Sequence, residues 1–367
     1  MSEFQISRSD YTKVRVVETH LSERDLNEGE VLVKIDCFAF TANNMTYAVV
    51  GDKLGYWQFF PPSGDDTGLN TEGWGVLPVW GFADVVVSRA EGVNVGERLF
   101  GYFPPASHLK MKPVHINAAR WIDGSAHRAS LPVGYNVYRR AVPSPNKSLD
   151  EEHALLAVLF LTSYCIVDFL LDHDWYGAKQ IIVISASSKT SIGVPYAFAA
   201  LAPHASAPKT IGLTSNRNLA WTKQLGIYDS VLTYSDIAQI DANVPTVIVD
   251  MSGNGALLGK LHKHLGDNMK FCSNIGATHW ENGARSADFN KERSEMFFAP
   301  SHIQKRIKDW GGDVFEQRTG VFLQQAIAKS RGWLKLSKLS GLNGLMARFD
   351  EIREGRIPPE EGLIVEM

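Results

Sequence analysis

The sequence predicts a two-domain α/β protein, an antiparallel barrel-like domain joined to a doubly wound parallel sheet. Three observations carry that reading. From Val14 to about Leu149, short runs rich in Val, Ile and aromatic residues are broken by Gly and Pro, the texture of an antiparallel barrel. From about Asp150 to His302, apolar runs alternate regularly with helical segments, which implies a parallel sheet covered on both faces. A chain of 367 residues with 44% hydrophobic content also has core enough for two ordinary domains without disulfide or metal support.

In chain order, the barrel-like runs are KVRVVE, EVLVKIDCFAF, FADVVVS and GERLFGYF. Two long aromatic segments interrupt them, Tyr56 to Gly75 and Pro104 to Tyr138. Loops of that length are uncommon unless functional or disordered. Their Trp, Tyr and Phe content predicts ordered walls or lids. The apolar run Ala154 to Leu171 carries Thr162, Ser163 and Asp168. A spanning helix needs roughly 20 apolar residues with few charges, so this run is expected to be a buried core helix. Then come the strand-like QIIVISA, KTIGLTS, SVLTY, TVIVDMS and MKFCSNIG, with helical SIGVPYAFAALAP, NRNLAWTKQLG and GALLGKLHKHLG between them. Strands buried on both faces read as continuous apolar runs, as QIIVISA does. The stretch from Ile303 to Met367 reads as mainly helical, with strand texture in the terminal EGLIVEM.

Composition excludes several classes of function. Lys plus Arg number 37 against 40 Asp plus Glu, a formal charge of −3, so no basic footprint for nucleic acid is expected. Cys37, Cys165 and Cys272 lie more than a hundred residues apart. They form neither a disulfide framework nor a CxxC pair, and reduced thiols suit a cytoplasmic chain. The polar start, MSEFQISRSDYTKVRVVETH, lacks the apolar stretch of a signal peptide, and no membrane partner is expected. His262 and His264 sit two apart on a helix and cannot face one metal together. With no HExxH or other ligand spacing, no metal is expected. The absence of GxSxG weakens a serine-hydrolase reading.

The informative segment is QIIVISASSKTSIGVPYAFAA from Gln180. A buried strand runs into small residues, and Gly193 is expected to open a helix whose first amides could meet a pyrophosphate. Ser185, Ser187 and Ser188 stand where a dinucleotide loop usually has Gly, followed by Lys189, Thr190 and Ile192. A P-loop would need Gly at positions 183 and 188, which are Val183 and Ser188, so phosphoryl transfer is rejected. The next strand ends at Ser215, 22 residues beyond Gly193, about where a ribose-reading residue belongs. Thr214, Ser215, Asn216, Arg217 and Asn218 offer no carboxylate there. A carboxylate would repel a 2′-phosphate, whereas Arg217 with Ser215 could bind one. NADPH is therefore expected over NADH. A polar helix start with a solvent-facing Arg would read the same way.

The whole order resembles the medium-chain dehydrogenase/reductase superfamily, in its zinc-independent quinone-reductase and enoyl-reductase branch. LNEGEVLVKIDCFAFTANNMTYAVVGD resembles the family's first long strand and turn. FADVVVSRAEGVNVGERLFGYF is similar to its barrel segment, with Val93, Gly96, Glu97, Arg98 and Gly101 in register. HALLAVLFLTSYCIVDFL, AWTKQLGIYDSVLTYSD and VDMSGN look like later family runs. The SASSKTS loop and THW segment also resemble a bacterial subfamily catalogued as a domain of unknown function. The resemblance implies a split GroES-like catalytic domain over 1–149 and 303–367, a Rossmann-type domain over 150–302, a cofactor in the cleft between them, and a homodimer. It also places Ser252, in VDMSGN, among the cofactor-binding residues. Trp80-Gly81-Phe82-Ala83 stands in place of the family's zinc-binding G-H-E, and the clustered structural cysteines are missing.

Hydride transfer needs a donor that stabilises the developing enolate or alkoxide. Tyr47 lies where zinc-free relatives often carry a Tyr beside the nicotinamide, though their frequent Asp two positions earlier is Met45 here. Its phenol could donate a proton, or simply plug a barrel wall. Thr162 matches a Thr that in relatives faces the nicotinamide ribose or amide, and bonding back to its own helix would equally satisfy it. His279, in GATHW after a strand end, is the second candidate acid. Gly276 would let the backbone approach the nicotinamide amide. Tyr56, Trp57, Trp80 and Trp280 are the expected substrate-pocket residues. Nine Lys or Arg against four Asp or Glu over 301–350 fit either a solvated helix face or an acidic substrate. The leading expectation is an NADPH-dependent reductase of an activated C=C or C=O in a small molecule. The alternatives are a nucleotide-binding sensor or assembly protein without hydride chemistry, and an aromatic small-molecule pocket without dinucleotide.

Overall fold

The structure, a computed structural model, describes residues 1–18, 21–64, 68–142, 147–202, 207–275 and 288–367. The chain divides into two compact units, Met1–Leu155 with Leu334–Met367, and Leu156–Trp333. The first unit contains strands β1 (Ser2–Ser7), β2 (Val14–Glu18), β3 (Val31–Ala39), β4 (Trp74–Gly75), β5 (Val79–Ser88), β6 (Arg98–Phe103), β7 (His108–Met111), β8 (Pro113–Val114), β9 (Arg120–Asp123) and β10 (Val137–Ala141). Helices α1 (Ala42–Val49) and α2 (Gly51–Leu54) follow β3. Helix α3 (Lys147–Asp172) leads into the second unit, with β11 (Gln180–Ile184), α4 (Lys189–Leu201), β12 (Lys209–Thr214), α5 (Leu219–Gln224), β13 (Ser230–Thr233), β14 (Thr246–Asp250), α6 (Gly255–Leu265), β15 (Met269–Asn274), β16 (Ser294–Met296), α7 (Ala299–Trp310) and α8 (Gly312–Ser330). The chain then returns to the first unit with β17 (Lys335–Ser340), α9 (Gly341–Arg353) and β18 (Glu361–Glu366).

In the first unit a small sheet has the order β2-β1-β4, and a larger one runs β17-β18-β3-β5-β6-β10-β9-β8, with β7 beside β3. All pairs are antiparallel except β17 with β18. Two glycines fix the middle of the larger sheet. Gly81 of β5 pairs with Gly101 of β6. A Cβ at 81 would lie 2.3 Å from the Cys37 carbonyl oxygen, and one at 101 would lie 2.3 Å from the Tyr138 ring. Only a residue without a side chain allows those approaches. One step along the same ladder, Trp80 pairs with Tyr102, so both rings point to one face of the sheet.

The second unit is the expected doubly wound sheet, all parallel, in the order β13-β12-β11-β14-β15-β16. Every residue of β11 and β14 is buried, as strands covered on both faces require. Helix α3 is long and apolar enough to cross a membrane, yet most of its apolar stretch is buried within the protein.

The expected boundary at 302/303 falls instead at 333/334, because α7 and α8 pack on α3 and α4 inside the second unit. Asp168 of α3 accepts from His302 Nε2 at 2.6 Å and from Arg306 Nε. Tyr164 and Phe322 rings lie 5.3 Å apart, and Trp333 Nε1 donates to the Tyr196 hydroxyl at 3.0 Å. The terminal EGLIVEM forms β18 as its texture suggested, whereas β16 and β17 have no counterpart in the sequence reading.

Candidate functional site

The loop after β11 turns at Ser185, whose φ of 57° places it in the left-handed region that favours Gly. Long-range bonds brace the bend. Ala186 N–H donates to Leu213 O at 2.9 Å, and the Tyr228 hydroxyl reaches the carbonyls of Ala186 (3.0 Å) and Ser191 (2.9 Å). Ser188 then caps α4, accepting from Ser191 N at 3.2 Å while donating to Ser191 Oγ at 2.9 Å. The first helical residues are thus Lys189 and Thr190, with no acidic residue in the first turn. Such a helix start presents amide dipoles to an anion.

Gly193 does not open the helix as expected, because Ser188 supplies the cap. It stands inside α4, where a Cβ would lie 2.4 Å from Ser163 Oγ and 2.8 Å from the Phe160 ring. Its role is close packing against α3. Ile192, fully buried, is core beside it. Ser187 does join the neighbouring strand, since its Oγ accepts from Thr214 Oγ1 (3.1 Å) and Asn218 Nδ2 (3.0 Å).

Ser215 precedes a turn of 3-10 helix over Asn216–Asn218, which leaves Arg217 exposed. No carboxylate occurs between Thr214 and Asn218. At the end of β14 the buried Asp250 accepts from Ser252 N (2.9 Å), Ser252 Oγ (2.7 Å) and Gly253 N (3.0 Å). Burial raises its carboxyl above the usual range, and those bonds oppose the rise. Ser252 therefore shapes the loop through Asp250. The Thr162 hydroxyl bonds back to Val158 O at 3.0 Å. Gly276, His279 and Trp280 lie outside the described residues.

In the first unit, Tyr47 projects from α1. Thr41 caps that helix by accepting from Asn43 N at 3.2 Å. Asn44 accepts from Thr41 N at 2.7 Å and donates to Pro78 O at 2.8 Å, which ties the helix start to the segment entering β5. The Tyr47 ring stacks on Tyr56 with centroids 4.4 Å apart and meets Tyr102 edge-on at 5.9 Å. Trp80 lies 4.9 Å from Tyr102, Tyr135 lies 4.8 Å from it, and the Tyr56 and Tyr135 hydroxyls are 3.0 Å apart.

Two buried donors in this group, Trp80 Nε1 and the Tyr102 hydroxyl, have no partner within hydrogen-bonding geometry. Burial pushes the Tyr47 phenol above its ordinary pKa, and the adjacent Trp80, Asn43 and Tyr102 side chains pull the other way. Three predicted residues (Tyr47, Tyr56 and Trp80) thus come together. Trp57 does not join them. Its indole fills the space over Gly51 and Gly75, where a Cβ would come within 2.2 and 2.5 Å of it.

Tyr102 and Tyr135 escaped the sequence reading, and Asn218 was named there only as part of a polar run, not as a partner of Ser187. Tyr135 lies in the aromatic insertion that the composition marked as a wall, so a signal for it existed. Tyr102 carried none, because its strand, RLFGYF, is buried throughout. Among the described residues no group of three or more His, Cys, Asp or Glu is placed to hold a metal ion.

A barrel-like unit and a doubly wound unit in this order make a fold that several solved oxidoreductases share. CurA from Vibrio vulnificus, solved in complex with NADPH, shares it with a TM-score of 0.67 at 11% identity, over 100% of this chain and 99% of that one. A mutant enoyl thioester reductase from Candida tropicalis matches with a TM-score of 0.57 at 12% identity, over 100% and 99%. The yhdH oxidoreductase from Salmonella enterica, in complex with NADP, gives 0.54 at 12%, over all of both chains. At these identities the likeness establishes the fold. No curated protein matches in sequence. The chain belongs to the family described as "Protein of unknown function (DUF2855)", whose profile matches residues 38–358.

Proposed function

We propose that this chain is an NADPH-dependent reductase of an activated C=C (an enone, quinone or enoyl thioester) or of a C=O. The observation that carries the reading is the α4 entrance. A left-handed bend at Ser185, a serine cap and a first turn without acidic residues fit a pyrophosphate. Thr214 to Asn218 fit a 2′-phosphate, with Arg217 as the charge partner. The NADPH- and NADP-bound proteins of the same fold support it.

Bound NADPH would supply hydride to the electrophilic carbon. Ser187, Ser188, Lys189 and Thr190 would hold its pyrophosphate, and Ser215 with Arg217 its adenosine phosphate. Tyr47 would donate a proton to the substrate oxygen or adjacent carbon, and the buried aromatic walls would exclude water from that transfer. The same reading takes the chain as zinc-independent, cytoplasmic and homodimeric, on the resemblance and the composition.

Titration with NADPH and NADH, followed by tryptophan quenching and calorimetry, tests it. Arg217→Ala should weaken NADPH by about tenfold or more while sparing NADH, the loss of one charge-assisted bond. No binding of either nucleotide overturns the reading. Tight NADPH binding without turnover of enones, quinones or enoyl thioesters would favour the sensor, which the serine-for-glycine loop also allows.

A further inference from the structure

Trp80 and Tyr102 face each other across β5 and β6, and each carries a buried donor with no acceptor in reach of good geometry. A buried donor left unpaired forfeits the hydrogen bond it would make to water and is destabilising. Two of them on paired positions, beside a third hydroxyl, point to an acceptor that strengthens at some stage of the reaction. We propose that Trp80 and Tyr102 are positioning residues for proton transfer from Tyr47, their N–H and O–H closing on the Tyr47 oxygen as it loses its proton. The inference rests on the reading of Tyr47 as the acid.

The chemistry of the surroundings singles out these two groups. Tyr47 lies on α1 against the aromatic residues of the Tyr56 turn, β5, β6 and the Tyr135 turn. The titratable groups facing it are the phenols of Tyr56, Tyr102 and Tyr135. Among the described residues no ammonium, guanidinium, imidazole or carboxylate acts on its phenol, and the polar neighbours are Trp80, Asn43 and Tyr102. Tyr56 and Tyr135 are engaged with each other. A developing phenolate must therefore be stabilised by neutral dipoles.

A neutral phenol oxygen is a weak acceptor and a phenolate a strong one, and charge-assisted bonds are shorter and roughly twice as strong. Bonds that are long in the resting protein and tighten as charge develops favour the transition state over the ground state. The proton balance closes. Bound NADPH would supply the hydride to carbon, Tyr47 would give its proton to the substrate, and the tyrosinate would recover one from water.

The test places fluorotyrosine at position 47, because its phenolate absorbs distinctly and its lower intrinsic pKa titrates while the protein is folded. In that background Tyr102→Phe, which removes one oxygen, should raise the ionisation midpoint by about one unit. Trp80→Phe should shift it in the same direction. With Tyr47 intact, Tyr102→Phe should lower kcat about tenfold, with KM and NADPH affinity unchanged. An unchanged midpoint in folded Tyr102→Phe protein overturns the proposal. Normal turnover by Tyr47→Phe instead removes Tyr47 as the acid, and the proposal falls with it even if the midpoint moves.

Discussion

At the scale of single residues, Ser185 is the informative position. The sequence has serine where a dinucleotide-binding loop usually has glycine, and the structure shows that the backbone still takes the left-handed turn there. A β-branched residue in that conformation is strained by about 1–3 kcal/mol. Ser185→Val should therefore melt lower by about 3–8 °C. Ser185→Gly should melt no lower than the parent, since glycine relieves the turn and gives up only a long 3.3 Å approach of the serine hydroxyl to that of Tyr234. Thermal denaturation of the two variants decides it; equal melting would mean that the turn relaxes. Gly193 makes the complementary point. Its presence in a helix was legible, but the reason for it, Ser163 and Phe160 pressing from α3, lies about thirty residues away in sequence. Tyr102 shows the same limit more sharply, because a tyrosine in a buried strand becomes a lone donor only through neighbours at 47 and 80.

At the scale of elements, five of the six parallel strands could be read directly, because apolar β-branched runs set between helical segments suit buried strands and little else. The sixth, β16, is three residues long with sequence SEM and is half-exposed to exposed, so neither length nor pattern marks it. Strand β17, KLSKLS, is mostly polar and is held by its parallel partner β18. Helix α3 was legible as a core helix, but Asp168 within it was only an anomaly. Its partners His302 and Arg306 lie 134 and 138 residues on. Removing one member of a buried ion pair costs about 3–5 kcal/mol, because the other charge is stranded. Arg306→Met should destabilise the second unit by that order, and Asp168→Asn in the same chain should recover much of the loss. Urea unfolding of the single and double variants measures the coupling. Additive losses would show that the pair is not what holds α7 to α3.

At the scale of the whole molecule, each unit contains, among the described residues, one histidine whose ring burial pushes its pKa down to about 4. His153 in the first unit packs edge-on against Phe100 at 4.5 Å. His262 in the second stacks on Phe289 at 4.7 Å, with its Nδ1 accepting from Asn290 N at 3.0 Å. Both are neutral when folded at pH 7. In the unfolded chain each takes up its proton near pH 6.5. The unfolded state therefore binds more protons between about 6.5 and 4. The stability these two groups confer is complete above that window and is lost as pH falls through it. A loss on the order of 1–3 kcal/mol from each is expected by pH 4.5. Glu3 and Asp250, whose carboxyls burial holds above their usual range, act in the opposite sense at the acid end, so the histidines have to be isolated by substitution. Hydrogen exchange resolves the units: His153→Gln should spare the first from acid loosening, and His262→Gln the second. If either variant protected both units or neither, the acid response would belong to other groups.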